Sequence, residues 1–198
     1  MGRHRPYDMD RRHDECAAML PNIREHGFTL IELMVTIAVL AIIVTLAAPS
    51  FQATIENNRL TSQANELVTA LALARSEAVR RNTPVTVCPG SCALGQGWAD
   101  GWRVFAEPAG SDRNSANVAV GAELLRVSPA LVNPLRFDNA AGLPVLLRFL
   151  PDGRVSDRGG AQVFPVEFDL SSPACTSNSA RRIEITRLGR AVAIRRDC

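Results

Sequence analysis

The sequence predicts an α+β fold, in which one long N-terminal helix packs on an antiparallel β-sheet domain. Two observations indicate it. An apolar run at residues 28–48 continues into a stretch, up to residue 81, where apolar residues recur at steps of three and four. After Pro84 the chain changes to short runs rich in β-branched and aromatic residues, separated by turn formers. A chain of 198 residues has room for one domain and one accessory segment.

The apolar run from Phe28 to Ala48 contains a single ionisable residue, Glu32. Because about 20 residues of helix span a hydrocarbon core of about 30 Å, this segment is long enough to cross a membrane once. The rest of the chain is then expected on one side of that membrane. A secretory signal cut after Ala48 is the alternative, since "LAAPS" supplies small residues. That alternative leaves the Gly27-Phe28 junction, Glu32 and the helical pattern beyond Pro49 unexplained.

The segment "GFTLIELMVTIAVLAIIVTLAAPSF" resembles the N-terminus of type IV pilins and type II secretion pseudopilins. The resemblance implies that a prepilin peptidase cuts after Gly27, that Phe28 becomes a methylated N-terminus, and that Glu32 is the carboxylate used in assembly. A carboxylate in an apolar environment is stabilised by a nearby cation. The new ammonium group of a neighbouring subunit supplies one, so Glu32 would set the axial step of an incoming subunit. A carboxylate lying at the level of the lipid headgroups is the alternative.

The resemblance divides the chain into four parts. The leader before the predicted cleavage site is long for the family. A start at Met19 would shorten it to nine residues and remove Cys16. Pro49 is expected to kink the helix and Thr83-Pro84 to end it. The expected parts are a prepilin leader at 1–27, a transmembrane and filament-core helix at 28–50, an amphipathic continuation at 51–83, and a periplasmic β-rich domain at 84–198.

Seven runs after Pro84 read as strands, and the segments 151–154 and 188–190 read as turns. The helix with its "VTVC" strand, the "GW" strand, "FLPDGR" and "RRIEI…GR" resemble the FimT/GspH group of minor pilins, over essentially the whole chain after Gly27. The predicted strands are 85–88, 101–105, 123–127, 145–150, 162–170, 181–187 and 191–195.

This resemblance implies a structural subunit and not an enzyme. The expected role is in assembly of a type IV pilus, and the alternative is the H-type pseudopilin of type II protein secretion. Its implied partners are the prepilin peptidase, other minor and major pilins or pseudopilins, and the inner-membrane assembly platform. The protein is expected in the inner membrane as a single-pass protein with a periplasmic C-terminal domain, and then in a pilus or pseudopilus.

Four cysteines follow the anchor, in a domain expected in the oxidising periplasm. Four cysteines allow three connectivities. We prefer Cys88 with Cys92, which closes the "CPGSC" loop, and Cys175 with Cys198, which fixes the last residue. A zinc site is the alternative, but the spacing is not a paired C-x-x-C set, and all three histidines precede Gly27. No metal or cofactor is therefore expected.

The 22 basic residues are all arginine, and residues 181–198 carry six of them against two acids, a net charge of +4. Such a cluster can neutralise DNA phosphates without reading sequence. Some FimT-type pilins bind DNA during natural transformation through a Gly-Arg-x-Arg motif, which Gly189-Arg190 matches, although Val192 replaces its second arginine. A solvated edge is the alternative. The candidates for contact with double-stranded DNA are Arg187, Gly189, Arg190, Arg195 and Arg196.

Trp98 and Trp102 could stack on bases or sugars, or else cover a small core, and the core is the interpretation we favour.

Catalysis is disfavoured because the part of the chain after Gly27 contains neither histidine nor lysine, so serine and cysteine nucleophiles lack their usual bases.

Overall fold

The computed structural model describes residues 27–93, 96–111, 117–156, 164–173, 175 and 179–198. The leader before Gly27, with Cys16 and the alternative start at Met19, lies outside them. The chain divides into two compact units, one ending at Ala47 and one from Ala48 to Cys198. The elements in order are α1 (Leu30–Arg81), β1 (Val85–Pro89), β2 (Trp102–Ala106), β3 (Glu123–Ser128), β4 (Arg136–Phe137), β5 (Leu147–Phe149), β6 (Val155–Ser156), β7 (Val166–Ser171), β8 (Ala180–Ile185) and β9 (Ala191–Arg196).

The first unit is the apolar half of α1, which begins at Leu30, two residues after the predicted start. Its side chains are exposed on all sides of the helix; Leu40, for example, is 58% exposed. Among the described residues, α1 is the one helix long and apolar enough to cross a membrane by length and composition. Helix α1 continues through Pro49. The kink that the sequence predicts there stays a prediction.

The second half of α1 buries one face against the β-sheets. The residues of the predicted stripe are at most 1% exposed, which confirms the helical periodicity of the sequence. The three alanines of the stripe let the strands approach the helix closely, while each of its three leucines contributes about 1.5–3 kcal/mol of burial. The residues of this stripe are Leu60, Ala64, Leu67, Leu71, Ala74 and Ala78.

The strands form two antiparallel sheets, where the sequence predicted one. A five-stranded sheet has the order β3-β2-β1-β5-β6, and a four-stranded sheet has the order β4-β7-β8-β9. The predicted strands correspond to β1, β2, β3, β5, β7, β8 and β9; the two-residue strands β4 and β6 are too short to leave a pattern in the sequence. A backbone hydrogen bond of 2.9 Å from Val155 to Arg187 connects the two sheets.

Polar contacts fix both sheets to α1. Arg126 and Ser128 at the edge strand β3 each donate a hydrogen bond of 2.9 Å to Glu66 of the helix. Burial raises the pKa of Glu66, but these hydrogen bonds and the charge of Arg126 outweigh it, so the pKa lies below its usual value. In the other sheet, Arg181 of β8 donates to Asn57 of α1 at 2.5 Å.

A buried ion pair lies inside the five-stranded sheet, at β1 and β5. Arg148 and Glu107 are both nearly inaccessible to solvent, and Arg148 Nη2 lies 2.9 Å from Glu107 Oε1. The hydroxyl of Thr86 donates to the same oxygen at 2.6 Å. Arg148 also donates to the Asn117 carbonyl at 3.1 Å. Because both charges are buried and hydrogen-bonded to each other, neither can lose its partner without a large cost.

Candidate functional site

The predicted assembly motif lies at the start of α1. Phe28 is 82% exposed, and Gly27 precedes it outside the helix. Thr29 caps the helix: its hydroxyl accepts a hydrogen bond of 3.2 Å from the backbone N–H of Glu32. This contact is one half of a capping box, and the sequence carried its signal as Thr29-x-x-Glu32, which our sequence analysis missed.

Glu32 is exposed in the first turn of α1. A carboxylate there interacts favourably with the N-terminal end of the helix dipole. Within the described residues no cation forms an ion pair with Glu32. The group is therefore available to a cation from outside this chain.

Both preferred cysteine pairs are joined in the structure. Cys88 is bonded to Cys92, with Cα atoms 5.2 Å apart, at the end of β1. Cys175 is bonded to Cys198, with Cα atoms 6.1 Å apart, so the last residue is tied to the chain just before β8. These bonds close a short loop and the β8–β9 hairpin respectively.

Neither tryptophan is available for stacking on a nucleic acid, because Trp98 is 4% and Trp102 is 1% exposed. The indole N–H of Trp98 donates to the Pro144 carbonyl at 2.7 Å, and its ring meets the edge of Phe168 with centroids 4.9 Å apart. The interpretation of these residues as core is thus the correct one.

The turn between β8 and β9 contains three of the five residues proposed for DNA contact. Arg187 and Arg190 are exposed, and the Arg187 guanidinium lies 5.4 Å from the centre of the Phe164 ring. Gly189 has φ of +75°, and a side chain there would collide with the Gly153 carbonyl. Gly189 is therefore required by the turn itself, whatever Arg190 does.

The last two candidates, Arg195 and Arg196, lie side by side on β9 and so face opposite sides of the sheet. Arg195 lines a recess beside α1. Arg196 lies on the outer face, where its guanidinium is 2.8 Å from Asp169. These two candidates therefore cannot contact one DNA surface from the same face of the sheet. Val192, in place of the motif's second arginine, is half-buried opposite Glu184.

Comparison with known proteins bears on the helix and the β-domain together. Residues 63–189 match the family model described as Type II transport protein GspH. The chain belongs to the GspH family. Residues 22–48 match the prokaryotic N-terminal methylation motif, which contains Gly27, Phe28 and Glu32. A search of the curated proteins found no significant match.

Two solved structures are among those similar to this GspH-family chain. The type IV minor pilin FimU of Pseudomonas aeruginosa is 22% identical, with a TM-score of 0.47 over 70% of this chain and 90% of FimU. The minor pseudopilin EpsH of the Vibrio cholerae type 2 secretion system is 14% identical, with a TM-score of 0.46 over 69% of this chain and 97% of EpsH.

Membership of the GspH family, together with the methylation motif, makes this chain a membrane-anchored structural subunit of the pilin and pseudopilin class. The motif also implies prepilin processing and association with other subunits of this class. The described residues contain no cluster of three or more histidine, cysteine or acidic side chains able to hold a metal ion.

Proposed function

We propose that this protein is a minor subunit in the assembly of a type IV pilus. In this proposal the prepilin peptidase cuts after Gly27, and Phe28 becomes the methylated N-terminus. Residues 28–50 first anchor the subunit in the inner membrane and then enter the filament core, while residues 84–198 form the periplasmic domain. Other pilins and the inner-membrane assembly platform are its partners. The supporting observation is an apolar half-helix exposed on all sides, with one carboxylate in its first turn.

Glu32 has the central role in this proposal. Its neighbours Leu30, Ile31 and Leu33 are apolar and exposed, so packing this helix into a bundle would remove them from lipid or water along with the carboxylate. A carboxylate in such surroundings is strongly favoured only beside a cation. The ammonium group of the processed Phe28 of an adjacent subunit has the required charge and lies at the same end of the helix.

Replacement of Glu32 by alanine tests this role. We expect Glu32→Ala to insert in the membrane normally but to fall at least tenfold in sheared filaments, because the mutant subunit leaves the neighbour's ammonium unpaired. Quantitative immunoblots of membranes and of sheared filaments measure both. Thr36→Ala is the matched control, since it removes a polar group one turn further along, a hydroxyl that donates a hydrogen bond of 2.9 Å to the Leu33 carbonyl of the same helix. Equal recovery of Glu32→Ala and wild type in filaments would contradict the role.

A second part of the proposal is contact with double-stranded DNA through the arginine cluster. Arg187 and Arg190 form no ion pair with a described residue, and both are exposed in the turn that Gly189 permits. Arg196 contributes less, because Asp169 already neutralises it. Backbone phosphates are the DNA groups such a turn would contact.

Fluorescence anisotropy with labelled duplex DNA measures this contact for the full chain in detergent, over a salt series. We expect the affinity to fall with salt on a slope of about −0.9 per neutralised phosphate. In the double variant Arg187→Gln/Arg190→Gln the slope should be flatter, corresponding to about two fewer neutralised phosphates. Arg103→Gln/Arg136→Gln removes the same charge from strands β2 and β4 and should leave the slope unchanged. Absence of binding by wild type at low salt would make the cluster a solvated edge.

The H-type pseudopilin of type II secretion is the second candidate function, and the description of the matching family model favours it. Deletion of the gene distinguishes between the two candidate functions. Loss of surface pili with normal secretion of exoproteins supports the pilus, and the reverse result supports the secretion system.

A further inference from the structure

A recess opens between helix α1 and the edge strand β9, with a volume of about 210 Å³. Strand β9 is the last strand in the order of the four-stranded sheet, and no further strand of the described residues pairs with it. The residues that line the recess are Thr61, Ala64, Asn65, Arg181, Ala193, Ile194 and Arg195.

One wall of the recess holds a buried charge whose hydrogen-bond partners, in the part of the chain that the structure describes, are all neutral groups. Arg181 is 5% exposed, and its guanidinium donates to Asn57 Oδ1 at 2.5 Å and Thr61 Oγ1 at 3.1 Å. It also donates to the carbonyls of Ser179 and Ala180, at 3.1 and 3.0 Å. No carboxylate of the described residues lies within 4.0 Å of it. A buried charge in this state is costly, and a carboxylate or phosphate would offset that cost.

The second positive charge of the recess belongs to Arg195. It lies directly opposite Arg181 in the antiparallel pairing of β8 with β9, so the two side chains share one face of the sheet. Burial, and then repulsion by Arg195, lower the pKa of Arg181. Arg195 forms no ion pair with a described residue either.

The opposite face of the same strands shows the contrary arrangement. There Arg182 lies 2.7 Å from Asp169 and 3.0 Å from Glu167, and Arg196 lies 2.8 Å from Asp169. The arginines of the outer face are therefore paired with carboxylates, whereas the two arginines of the recess have no carboxylate partner among the described residues. This difference indicates that the counter-ion of the recess comes from another molecule.

We propose that the recess between α1 and β9 binds a carboxylate side chain of a neighbouring pilin or pseudopilin subunit. This inference rests on the proposed function, because it requires a neighbouring subunit. The Arg195 guanidinium, exposed at the rim, would contact the carboxylate first, and Arg181 would hold it from below by charge-assisted hydrogen bonds. The Asn65 amide supplies a further donor. A glutamate or aspartate on a flexible stem can reach a buried guanidinium, whereas a phosphate in the rigid backbone of a duplex cannot.

Binding is tested first on the full chain in detergent micelles, by NMR of ¹⁵N-labelled arginine side chains. Sodium acetate and inorganic phosphate are the probes, with sodium chloride holding the ionic strength constant. We expect saturable shifts of the Arg181 and Arg195 signals with acetate. Arg195→Gln should weaken acetate binding at least tenfold, whereas Arg103→Gln, which removes the same charge from β2 in the other sheet, should leave it unchanged. Saturation by phosphate alone overturns the assignment to carboxylates, and no saturation by either anion overturns the site. Because Arg195 lies at the rim, its variant tests the proposal even if Arg181→Gln does not fold.

Assembly gives the second test. Arg195→Glu should lower recovery in sheared filaments at least tenfold, because the introduced carboxylate repels the incoming one, while Arg103→Glu should assemble as wild type. If wild type enters filaments and Arg195→Glu enters them equally, the inference fails. If wild type itself is absent from filaments, the proposed function fails instead, so the two failures are distinguishable.

Discussion

The two halves of helix α1 have the same backbone conformation and opposite surroundings. In the half ending at Ala47 the apolar side chains are exposed, as with Leu40 at 58%, whereas in the second half Leu67 is completely buried. The first half is apolar on all sides; the second is apolar on one stripe. The comparison teaches that a stripe can be satisfied by the sheets of the same chain, whereas an all-round apolar helix needs lipid or other helices.

The comparison extends to two carboxylates. Glu107 is buried and has its cation in Arg148 of the same chain, 2.9 Å away. Glu32 belongs to the half that this chain does not cover, and no described cation pairs with it. Of these two carboxylates, the one that the domain buries also has its cation in the domain, whereas the exposed one has no cation among the described residues.

The largest effect is expected from removing the counter-ion inside the domain. Arg148→Met leaves Glu107 buried without its partner and should lower the free energy of unfolding by about 3–5 kcal/mol. Urea unfolding of the full chain in detergent measures it. The double variant Glu107→Gln/Arg148→Met, which removes both charges, should recover most of the loss. A loss below about 1 kcal/mol in the single variant would show that the pair is not desolvated.

The next effect sharpens the contrast between the helix halves. Leu67→Ala should cost about 2–5 kcal/mol of unfolding free energy because it leaves a cavity in the core. Leu40→Ala makes the same chemical change on the exposed half and should cost less than about 0.5 kcal/mol in the isolated subunit. In filaments we expect the opposite order: Leu40→Ala should lower the recovery of the subunit in sheared filaments more than Leu67→Ala does. Similar unfolding costs for both variants would refute the division of α1 into a self-buried and a partner-buried half.

The smallest effect is expected from the ion pairs of Glu77 with Arg80 and Arg81, near the C-terminal end of α1. Hydrogen bonds from Arg80, and then from Arg81, lower the pKa of Glu77 from 4.5 to about 2. A lowered pKa in the folded state stabilises the protein above pH 4.5, and that stabilisation is lost as the pH falls from 4.5 towards 2. The difference in melting temperature between wild type and Glu77→Gln should therefore be constant above pH 5 and shrink on acidification. A difference that does not change with pH would exclude this linkage.

The features that depend on residues close together in the sequence could be predicted from it. The processing motif at Gly27, Phe28 and Glu32 is local, and the buried stripe of α1 repeats with the period of a helix, so both are visible in the sequence. The roles of these three motif residues stay predictions that the filament experiments test. The turn at Gly189 was also visible, since glycine between two strand patterns marks a position that favours positive φ.

Features that depend on the pairing of distant segments could not be predicted from the sequence. Arg148 and Glu107 are 41 residues apart, and Arg181 and Asn57 are 124 apart, so no local pattern joins them. The division into two sheets was missed for the same reason, because strand propensity says nothing of which strand pairs with which. Arg181 itself lay within a predicted strand, but its neighbour Arg182 has the same residue type, and only the topology decides which of the two faces the helix.

The bond between Cys175 and Cys198 has a mechanical consequence. An edge strand with a free end yields to tension one hydrogen bond at a time, beginning at that end. In this chain the end of β9 is fastened beside the start of β8, so a neighbour pulling on Arg195 could not peel the strand from its terminus. The hydrogen bonds between β8 and β9 would have to break together, and the tension would pass instead to helix α1 through the contacts of Arg181. A filament subunit built in this way resists extension at the point where its neighbour is expected to hold it.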